Sequence, residues 1–363
     1  MRKILFRIGI CLLTAVALTV FAVYATLYNV ANGKSPAMRN LLVNAAMQAS
    51  ATKWIPGLVL PGDTISEILD ASDRIDYVDI ADLRPAETAT PPDETEVILD
   101  PWDSAVDGML LETYIAADFK AYVLLVKDPS RVYTARCRSR FSAGARGDTV
   151  FTLVENEGAV AAINGGGFYD DHGKGGGGLP LGLTYSGGEC VHSDGYRLTF
   201  IGFDNNNRLV AENNMTRDRA DELGVRDGVS FKKNNALINS VDGKIVAAYA
   251  DEDTAPSQRT AIGQTADGTV ILMVTDGRTA DSLGASRNDI INAMLSYGAV
   301  TAGMLDGGSS AVMCYPGYYD KYSMDTSLFS QYQLQGLVNK YHAFTSPRTI
   351  PTFFAVKPEQ AQG

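Results

Sequence analysis

The sequence is poor in cysteine, and no cysteine pair has the spacing of a metal site. Of its four cysteines, Cys11 lies in an apolar N-terminal stretch, which leaves Cys137, Cys190 and Cys314. An odd number without a C-x-x-C pair argues against a zinc site or a redox dithiol. At most one disulfide can form among these three, and we predict buried free thiols instead. The folded part of the chain must therefore be stabilised by its own core.

Histidine and positive charge are also scarce. The chain has three histidines and contains neither G-x-S-x-G nor H-E-x-x-H, so a Ser-His-Asp or zinc-protease site has little support. Lysine and arginine total 31 against 42 acidic residues, which gives a net charge of −11. Because nucleic-acid binders need a basic face to displace counterions from phosphates, no nucleic-acid partner is predicted.

A long apolar run follows a short basic N-terminus. Arg2, Lys3 and Arg7 precede the uncharged residues 8–28, which at about 1.5 Å each span a bilayer core of about 30 Å. This run is longer than the apolar part of a cleaved signal peptide, and no convincing small-x-small site follows it. We favour an uncleaved signal anchor over a cleaved signal, with the positive flank in the cytoplasm. The prediction is a single-pass protein of the cell membrane with its remaining residues extracytoplasmic.

Composition divides the chain into four parts. The anchor over 1–30 is followed by a juxtamembrane helical segment over 31–69, which opens with a Ser-Pro pair typical of a helix start. Residues 70–105 are acidic and contain several prolines, so we predict an extended linker there. From 106 to 358, short apolar runs alternate with Gly, Asp and Asn turns, as expected for a folded domain.

The pattern over 106–358 predicts one α+β domain with many strands and few helices. Continuous apolar runs such as VILMV and TAGML fit strands that are covered on both faces. The Asp-Gly pair at 267–268 separates two such runs and predicts a hairpin turn. Two stretches, Thr149–Glu157 and Ser286–Tyr297, predict helices, and the second opens with a capping serine.

Four segments place Gly, Asp, Asn and Arg at the ends of apolar strands. Glycine lets backbone N–H groups approach a ligand, and arginine can pair with a phosphate, so such sites suit anions or sugars. A lone Asp-Gly is more often a turn than a catalytic acid, but Asp276 and Asp306 each end an apolar run without a prompt second strand. The segments are AAINGGGFY from 161, QRTAIG from 258, TDGR from 275 with SLG from 282, and MLDGGSS from 304.

Together with SPRTIPTFFAV near the end of the chain, these segments resemble the phosphodiester glycosidase family over roughly Gly108 to Lys357. The resemblance implies an α+β domain with mixed sheets, a glycine-lined cleft, and cleavage of a sugar-1-phosphodiester such as a GlcNAc-1-phosphate linkage. Bacterial members are often labelled exopolysaccharide-related. The positions that match the family pattern are Asn164, Gly165, Arg259, Asp276, Arg278, Asp306, Gly307, Gly308, Ser309 and Arg348.

The resemblance suggests roles for these residues. Asp276 and Asp306 are the pair of carboxyl groups expected in glycosidic cleavage, one of them acting as nucleophile or base. Arg259, Arg278 and Arg348 would hold the phosphate, at least one of them in bidentate fashion.

The substrate contacts and the cofactor requirement are less defined. Asn164 and the glycine amides would bind sugar hydroxyls or phosphate oxygens. Family members often have a third glycine at the position of Ser309, so both Ser309 and Ser310 are candidates for the common serine. No cofactor is required by these residues, and a divalent cation, Ca²⁺ or Mg²⁺, that bridges Asp306 and the phosphate stays open. Asp170, Asp171 and His172 could ligate a cation, but we favour a solvated loop there.

The predicted partner is a phosphorylated glycan or another sugar-1-phosphodiester. The alternative function is a surface module that binds phosphate-bearing glycans without cleaving them, in exopolysaccharide or cell-wall metabolism. Such a module could stack sugars on a tyrosine-rich loop, although partial burial of these tyrosines is the favoured interpretation. The tyrosines concerned are Tyr315, Tyr318, Tyr319 and Tyr322.

Overall fold

The chain divides into two compact units, Met1–Arg74 and Ile75–Gly363. The computed structural model describes residues 2–48, 52–72, 74–83, 101–171, 175–250, 253–279, 281–340 and 346–359. His172, one of the residues considered as a cation ligand, lies outside the described residues.

The N-terminal unit is helical. Helix α1 spans Arg2–Asn32 and contains a stretch, Phe6–Asn32, that is long and apolar enough to cross a membrane. Helix α2 covers Pro36–Gln48 and begins at the proline predicted to open it, and α3 covers Gly62–Ser72 after a 3-10 turn at Pro56–Leu58. The helical character predicted for this region is therefore confirmed.

The C-terminal unit consists of many strands and several short helices, in an irregular order. Its first elements are β1 (Ile75–Asp79), α4 (Ile80–Leu83), β2 (Met109–Ile115), β3 (Lys120–Val126), β4 (Val132–Arg136), α5 (Val150–Glu157), β5 (Ala161–Asn164), β6 (Leu183–Ser186), β7 (Glu189–Ser193), β8 (Thr199–Asp204) and β9 (Leu209–Glu212). They are followed by α6 (Arg217–Glu222), β10 (Val225–Phe231), β11 (Ala236–Val241), β12 (Lys244–Ala250), β13 (Thr260–Thr265), β14 (Val270–Thr275), α7 (Arg287–Ser296), β15 (Ala299–Met304), β16 (Met313–Cys314), α8 (Tyr318–Lys321), α9 (Gln331–Leu334) and β17 (Thr352–Val356).

The strands form three sheets, which confirms the α+β class. One sheet has eight strands in the order β1-β12-β11-β15-β13-β14-β3-β2, a second has the order β7-β6-β10-β8-β9, and a third has the order β16-β5-β17-β4. Mixed sheets were expected, whereas all strand pairs among the described residues are antiparallel. Many neighbouring strands are consecutive in the chain and joined by short turns, a connection that only antiparallel pairs allow.

The main core lies between the eight-stranded sheet and the two smaller sheets. Leu272 and Val274 from β14 belong to one buried cluster with Ile201 from β8 and Phe354 from β17. The opposite face of the large sheet is covered by α7, whose Ile290 and other apolar residues are fully buried. Because β13 and β14 are covered on both faces, their sequences are almost continuously apolar, as predicted.

The local predictions in this unit are confirmed. Thr149 caps α5 through a hydrogen bond from the Thr152 N–H, and Ser286 and Asp289 form a capping box at the start of α7. Strands β13 and β14 form the predicted hairpin. Its turn contains Gly268 at a φ of +98°, a backbone angle that favours glycine.

The predicted linker over 70–105 contains a strand. Residues Ile75–Asp79 form β1, which pairs with β12 at the edge of the large sheet. The Asp79 carboxylate forms an ion pair with Lys244 Nζ at 2.8 Å. The linker prediction is wrong for residues 75–83, which form β1 and α4, because the acidic average of the segment hides a short run with apolar Ile75 and Val78. Residues 70–72 also belong to α3, and Pro101–Ser104 form a 3-10 turn. Residues 84–100 lie outside the described residues.

The two smaller sheets approach each other closely where β5 ends. The Gly165 N–H donates to the carbonyl of Thr352, in β17 of the same sheet as β5, at 2.9 Å. The Gly167 N–H donates to the carbonyl of Ser230, in β10 of the five-stranded sheet, at 2.9 Å. A Cβ at Gly166 would lie 2.3 Å from the Ser230 oxygen. This distance leaves no room for a side chain, so the glycine run joins two sheets instead of forming a flexible turn.

Replacing Gly166 with alanine should therefore destabilise the fold. The Cβ meets backbone on one side, so we expect Gly166→Ala to lower the free energy of unfolding by about 1–3 kcal/mol. Gly144→Ala is the control, because nothing lies within 4 Å of a Cβ at Gly144, and its effect should stay within about 0.5 kcal/mol. Equal unfolding curves for the two purified variants would contradict the close approach of the sheets.

Candidate active site

A buried asparagine connects the strand ends that carry the predicted site. Asn164 is fully buried at the end of β5, and its Nδ2 donates to the Asp306 carbonyl at 2.7 Å. Its Oδ1 accepts from the Thr260 hydroxyl at 2.7 Å and from the Val312 N–H at 3.1 Å. The amide was predicted to bind substrate, but its polar atoms are engaged within the protein. Asn164 instead fixes the position of the segment that carries Asp306.

The Asp306 carboxylate lies half-buried just beyond β15. Removal from water raises its pKa, whereas hydrogen bonds from the Ser310 hydroxyl and the Gly307 N–H, and the charges of Lys232 and Arg348, act to lower it. The net pKa is above the usual value for aspartate. A carboxyl group that is desolvated but surrounded by donors and cations is suited to acid–base or nucleophilic chemistry.

The two serines that follow have different partners. Ser310 is buried and hydrogen bonds to Asp306, whereas the exposed Ser309 accepts a hydrogen bond from Arg348 Nη1 at 3.4 Å. Ser310 therefore acts directly on the carboxylate, and Ser309 contacts Arg348. Ser310 also ends a 3-10 turn, Gly308–Ser310, in which Gly308 has a φ of +60°.

Arg348 is held at the edge of this site by a carboxylate and an aromatic ring. Its Nη2 donates to Asp170, its Nη1 lies 3.5 Å from the second Asp170 oxygen, and its guanidinium lies 5.0 Å from the Phe168 ring centre. Asp170 was predicted to lie in a solvated loop, but it is only partly exposed and forms an ion pair. Phe168, Asp170 and the glycines of 165–167 belong to one segment, so that segment and the 346–349 segment form one side of the site.

Asp276 occupies a separate and closed environment. It follows β14 and has no exposed surface. One carboxylate oxygen accepts from the Lys340 N–H at 2.7 Å and the other from the Tyr122 hydroxyl at 3.2 Å. Burial raises its pKa. Asp276 was predicted to share the chemistry with Asp306, but in this arrangement its carboxylate is not accessible to a substrate.

A surface ion-pair cluster lies next to Asp276. The Asp281 carboxylate pairs with Lys340 and, at 3.2 Å, with Lys120 Nζ. These hydrogen bonds hold the pKa of Asp281 well below its usual range. Because the Asp276 N–H also donates to the Lys120 carbonyl at 2.9 Å, Lys120 and Lys340 each contact both aspartates.

Arg259 is a half-buried arginine whose side chain hydrogen bonds to the protein itself. Its Nε donates to the Ala285 carbonyl at 3.0 Å, and its Nη2 donates to the Ala255 carbonyl at 2.8 Å and the Thr254 hydroxyl at 3.1 Å. Burial lowers its pKa to about 10, and the nearby charge of Arg278 contributes in the same direction. Arg259 was predicted to hold a phosphate, but most of its donors already bind the protein.

Arg278 and Lys232 are exposed cations with unusual backbones. Arg278 has a φ of +56° and Lys232 a φ of +29°, which are left-handed angles that side-chain-bearing residues seldom adopt. Lys232 follows β10, and its charge lowers the pKa of Asp306. Nothing in the sequence pattern singled out Lys232, because it lies outside the four glycine-rich segments.

The Asp-Gly pairs at 276–277 and 306–307 both contact one residue, Gln258. Its Nε2 donates to the Gly277 carbonyl at 2.7 Å, and its own carbonyl accepts from the Gly308 N–H at 2.8 Å. A Cβ at Gly277 would lie 2.7 Å from the Gln258 nitrogen, and one at Gly307 would lie 2.7 Å from its oxygen. The turns that follow Asp276 and Asp306 therefore meet at one edge of the large sheet, although the two carboxylates have different neighbours.

The predicted residues thus fall into three groups. The first surrounds Asp306, the second encloses Asp276, and the third consists of Arg259 with Arg278 near it. The sequence analysis gave no site role to Gln258 or Tyr169, although both lie within its glycine-rich segments, and it missed Lys232 altogether. The Tyr169 side chain is 46% exposed beside Asp170. The Asp306 group contains Asn164, Gly165, Gly307, Gly308, Ser309, Ser310 and Arg348.

The described residues do not supply a metal site. Within them, no group of three or more His, Cys, Asp or Glu side chains could hold a metal ion. Asp170, whose carboxylate is close to the site through Arg348, already forms an ion pair with that arginine. The described side chains around Asp306 therefore do not fit the Ca²⁺ or Mg²⁺ that the sequence left open.

The fold is similar to that of a known glycosidase domain. The solved structure of the zebrafish N-acetylglucosamine-1-phosphodiester alpha-N-acetylglucosaminidase catalytic domain, auto-inhibited by pro-peptide, matches with a TM-score of 0.51. The sequence identity is 18%, and the match covers 69% of this chain and 82% of that chain. At this identity the likeness concerns the fold alone.

Two further proteins are similar over part of the chain. The SPbeta prophage-derived uncharacterized protein YomE of Bacillus subtilis (strain 168) is 25% identical over 172 residues, which is 47% of this chain and 27% of that protein. The chain thus matches about a quarter of the length of this relative. A hypothetical protein from Synechocystis matches with a TM-score of 0.47 at 14% identity, over 69% of this chain and 62% of that one.

The sequence also matches a family model. The model is described as phosphodiester glycosidase and aligns with residues 157–357, a range that includes every predicted site residue from Asn164 to Arg348. Because this match covers more than half of the chain, the protein belongs to the phosphodiester glycosidase family.

Proposed function

We propose that this protein hydrolyses a sugar-1-phosphodiester and that Asp306 supplies the reacting carboxylate. The observation that carries the proposal is the environment of Asp306, which is half-buried, has a raised pKa and lies near the cations of Lys232 and Arg348. The substrate class follows the family and the name of the zebrafish enzyme, so a GlcNAc-1-phosphate-type linkage is the first candidate.

The charges near Asp306 match the demands of this reaction. Cleavage of the glycosidic bond leaves positive charge on the sugar ring and gives the bonding electrons to a phosphate oxygen. A carboxylate stabilises the ring as nucleophile, or removes a proton from the attacking water. Lys232 and Arg348 stabilise the departing phosphate monoester. Because a phosphate leaves readily as an anion, no second carboxyl group is needed to protonate it, which fits the enclosure of Asp276.

The other predicted residues have supporting roles in this scheme. Asn164 fixes the Asp306 segment, and Asp276 fixes the main chain at Lys340. Arg259 anchors the loops around residues 255 and 285. Arg278 is exposed and supplies a further positive charge near this edge, so it stays a candidate for phosphate binding.

Among the described residues of the site, Tyr169 presents an exposed aromatic ring to a sugar. Tyr169 lies between Phe168 and Asp170 and is 46% exposed, which suits stacking against a sugar ring. The tyrosine-rich loop is less suited, since Tyr315 and Tyr318 are buried. This difference weakens the alternative function, a glycan-binding module that does not cleave, because that alternative used the loop as its sugar platform.

The cellular location is also a proposal. Helix α1 is long and apolar enough to anchor the chain, and its basic start favours a cytoplasmic N-terminus. The folded domain, which we assign to residues 106–358 with the addition of β1, would then face the outside of the cell. Exopolysaccharide or cell-wall glycans with phosphodiester linkages are the substrates available to it there.

Replacing Asp306 tests the proposed chemistry. We expect Asp306→Asn to lower the rate of N-acetylglucosamine release from a GlcNAc-1-phosphate methyl diester by about 10²–10⁴-fold. The thermal midpoint should stay equal or rise, because the fold raises the pKa of this carboxyl and therefore disfavours its ionised form at neutral pH. Asp325→Asn, on an exposed loop, is the control and should keep full activity. An active Asp306→Asn enzyme would refute the assignment.

The pH dependence tests the role of Ser310. The Ser310 hydrogen bond lowers the pKa of Asp306, so Ser310→Ala should raise that pKa further. The reaction needs ionised Asp306 and is lost as the pH falls through this pKa. The acidic limb of kcat/KM should therefore move to higher pH. Ser309→Ala is the matched control, and coincident limbs in the two variants would contradict the prediction.

Half-buried Gln258 and buried Gln264 allow an effect on catalysis to be distinguished from an effect on stability. Gln258→Ala leaves the Gly277 carbonyl without its donor and should lower both the unfolding free energy, by about 1–3 kcal/mol, and kcat. Gln264→Ala removes a comparable amide, which bonds Asn207 and Gly268 at the other end of β13. It should cost similar stability but leave kcat unchanged. If both variants, measured well below their unfolding midpoints, lose kcat equally, Gln258 has no specific role.

A further inference from the structure

The last turns of α1 are packed against the two helices that follow it. Ala31 is fully buried together with Val43 of α2 and Ile68 of α3. Two hydrogen bonds tie the end of α1 to the same elements: Asn32 Nδ2 donates to the Val59 carbonyl at 3.1 Å, and Arg39 Nε to the Ala31 carbonyl at 2.6 Å. We call α2, α3 and the 52–60 segment between them the helical cap.

The length of α1 fixes where the cap lies if α1 crosses a bilayer. The apolar stretch Phe6–Asn32 has 27 residues, or about 40 Å of helix, whereas a hydrocarbon core of about 30 Å takes about 20 residues. With the charged Arg7 at one boundary, the other boundary lies near Leu27. Leu27 is also where packing against the cap begins. The cap therefore folds at the level where the helix leaves the hydrocarbon.

Aromatic residues mark the same level. Tyr24 and Tyr28 are each about half exposed, and their rings stack with centres 6.3 Å apart. Tyrosine and tryptophan are enriched at the boundary between lipid tails and headgroups, because their rings are apolar and their polar atoms stay hydrated. This pair lies on the turns of α1 just before the cap.

The surface of the cap is apolar on α2 and the 52–60 segment but acidic on α3. Met38 and Leu41, three residues apart on α2, are 48% and 46% exposed, and Trp54 and Leu58 are 64% and 49% exposed. Lys34 and Lys53 are exposed beside these residues and suit lipid phosphates. The outward residues of α3 include the acidic Asp63, Glu67 and Asp70.

We propose that the helical cap is a membrane-interface element, with Met38, Leu41, Trp54 and Leu58 in contact with the outer-leaflet lipids and the acidic side of α3 in water. The occupant of the apolar surface is the bilayer, because Met38 lines one groove with Thr26 and Val30 of α1, on the turns that lead out of the hydrocarbon. The inference rests on the proposed membrane anchor and is independent of the hydrolytic activity.

Tryptophan fluorescence of the full-length chain in lipid nanodiscs tests this placement. The chain has two tryptophans, so Trp102→Phe leaves Trp54 as the sole reporter. We expect lipids brominated near the headgroup end of their acyl chains to reduce Trp54 emission by about half, with little quenching by iodide from water. The matched control carries Trp54→Phe, Trp102→Phe and Glu67→Trp, which puts the reporter on α3. Iodide should quench the emission of this control, and brominated lipid should have little effect on it.

Three other results of this experiment would overturn the proposal, and each would show why it is wrong. Iodide quenching of Trp54 equal to that of the control would place the cap in water. Protection of Trp54 from both quenchers would indicate that protein, such as a second copy of the chain, covers the surface. A chain that stays in aqueous solution without nanodiscs or detergent would refute the membrane anchor itself. Hydrolysis measured on the same samples reports the proposed function separately, so the two failures are distinguishable.

Discussion

The candidate site depends on the hydrogen bonds of one buried amide, that of Asn164. A buried side-chain amide is costly unless its donors and acceptor are satisfied, and here the partners come from three different segments, at Thr260, Asp306 and Val312. All three segments must therefore be in place before the amide is satisfied, and each positions the others. The rigidity of the Asp306 segment follows from this requirement, because moving it would leave a buried polar group without a partner.

The two aspartates illustrate how similar sequence contexts give different chemistry. Each ends an apolar strand, each is followed by glycine, and burial raises the pKa of both. Asp276 has no exposed surface and accepts hydrogen bonds on both oxygens from within the protein. Asp306 is half-buried and has two cations near it. Accessibility, which depends on the packing of distant segments such as the one at Lys340, therefore decides which carboxylate can react.

Much of the fold could be predicted from the sequence, because strand ends, caps and turns depend on neighbouring residues. The capping box at Ser286 and the turn at Gly268 are of this kind. The partners of the site residues could not be predicted, since they join segments more than a hundred positions apart, as in the pair of Arg348 and Asp170. Arginine patterns alone could not distinguish Arg259, which binds carbonyl groups, from an arginine that binds substrate. Lys232 was missed because it lies outside every glycine-rich motif.

The left-handed backbones of Lys232 and Arg278 have a consequence for how this edge of the protein can change. Such angles cost a side-chain-bearing residue roughly 1–2 kcal/mol, a cost that glycine avoids. Glycine at either position would therefore relieve the main chain and remove a positive charge in the same step. At these two positions, a substitution that increases folding stability therefore also weakens anion binding. Selection for stability alone would replace both cations with glycine.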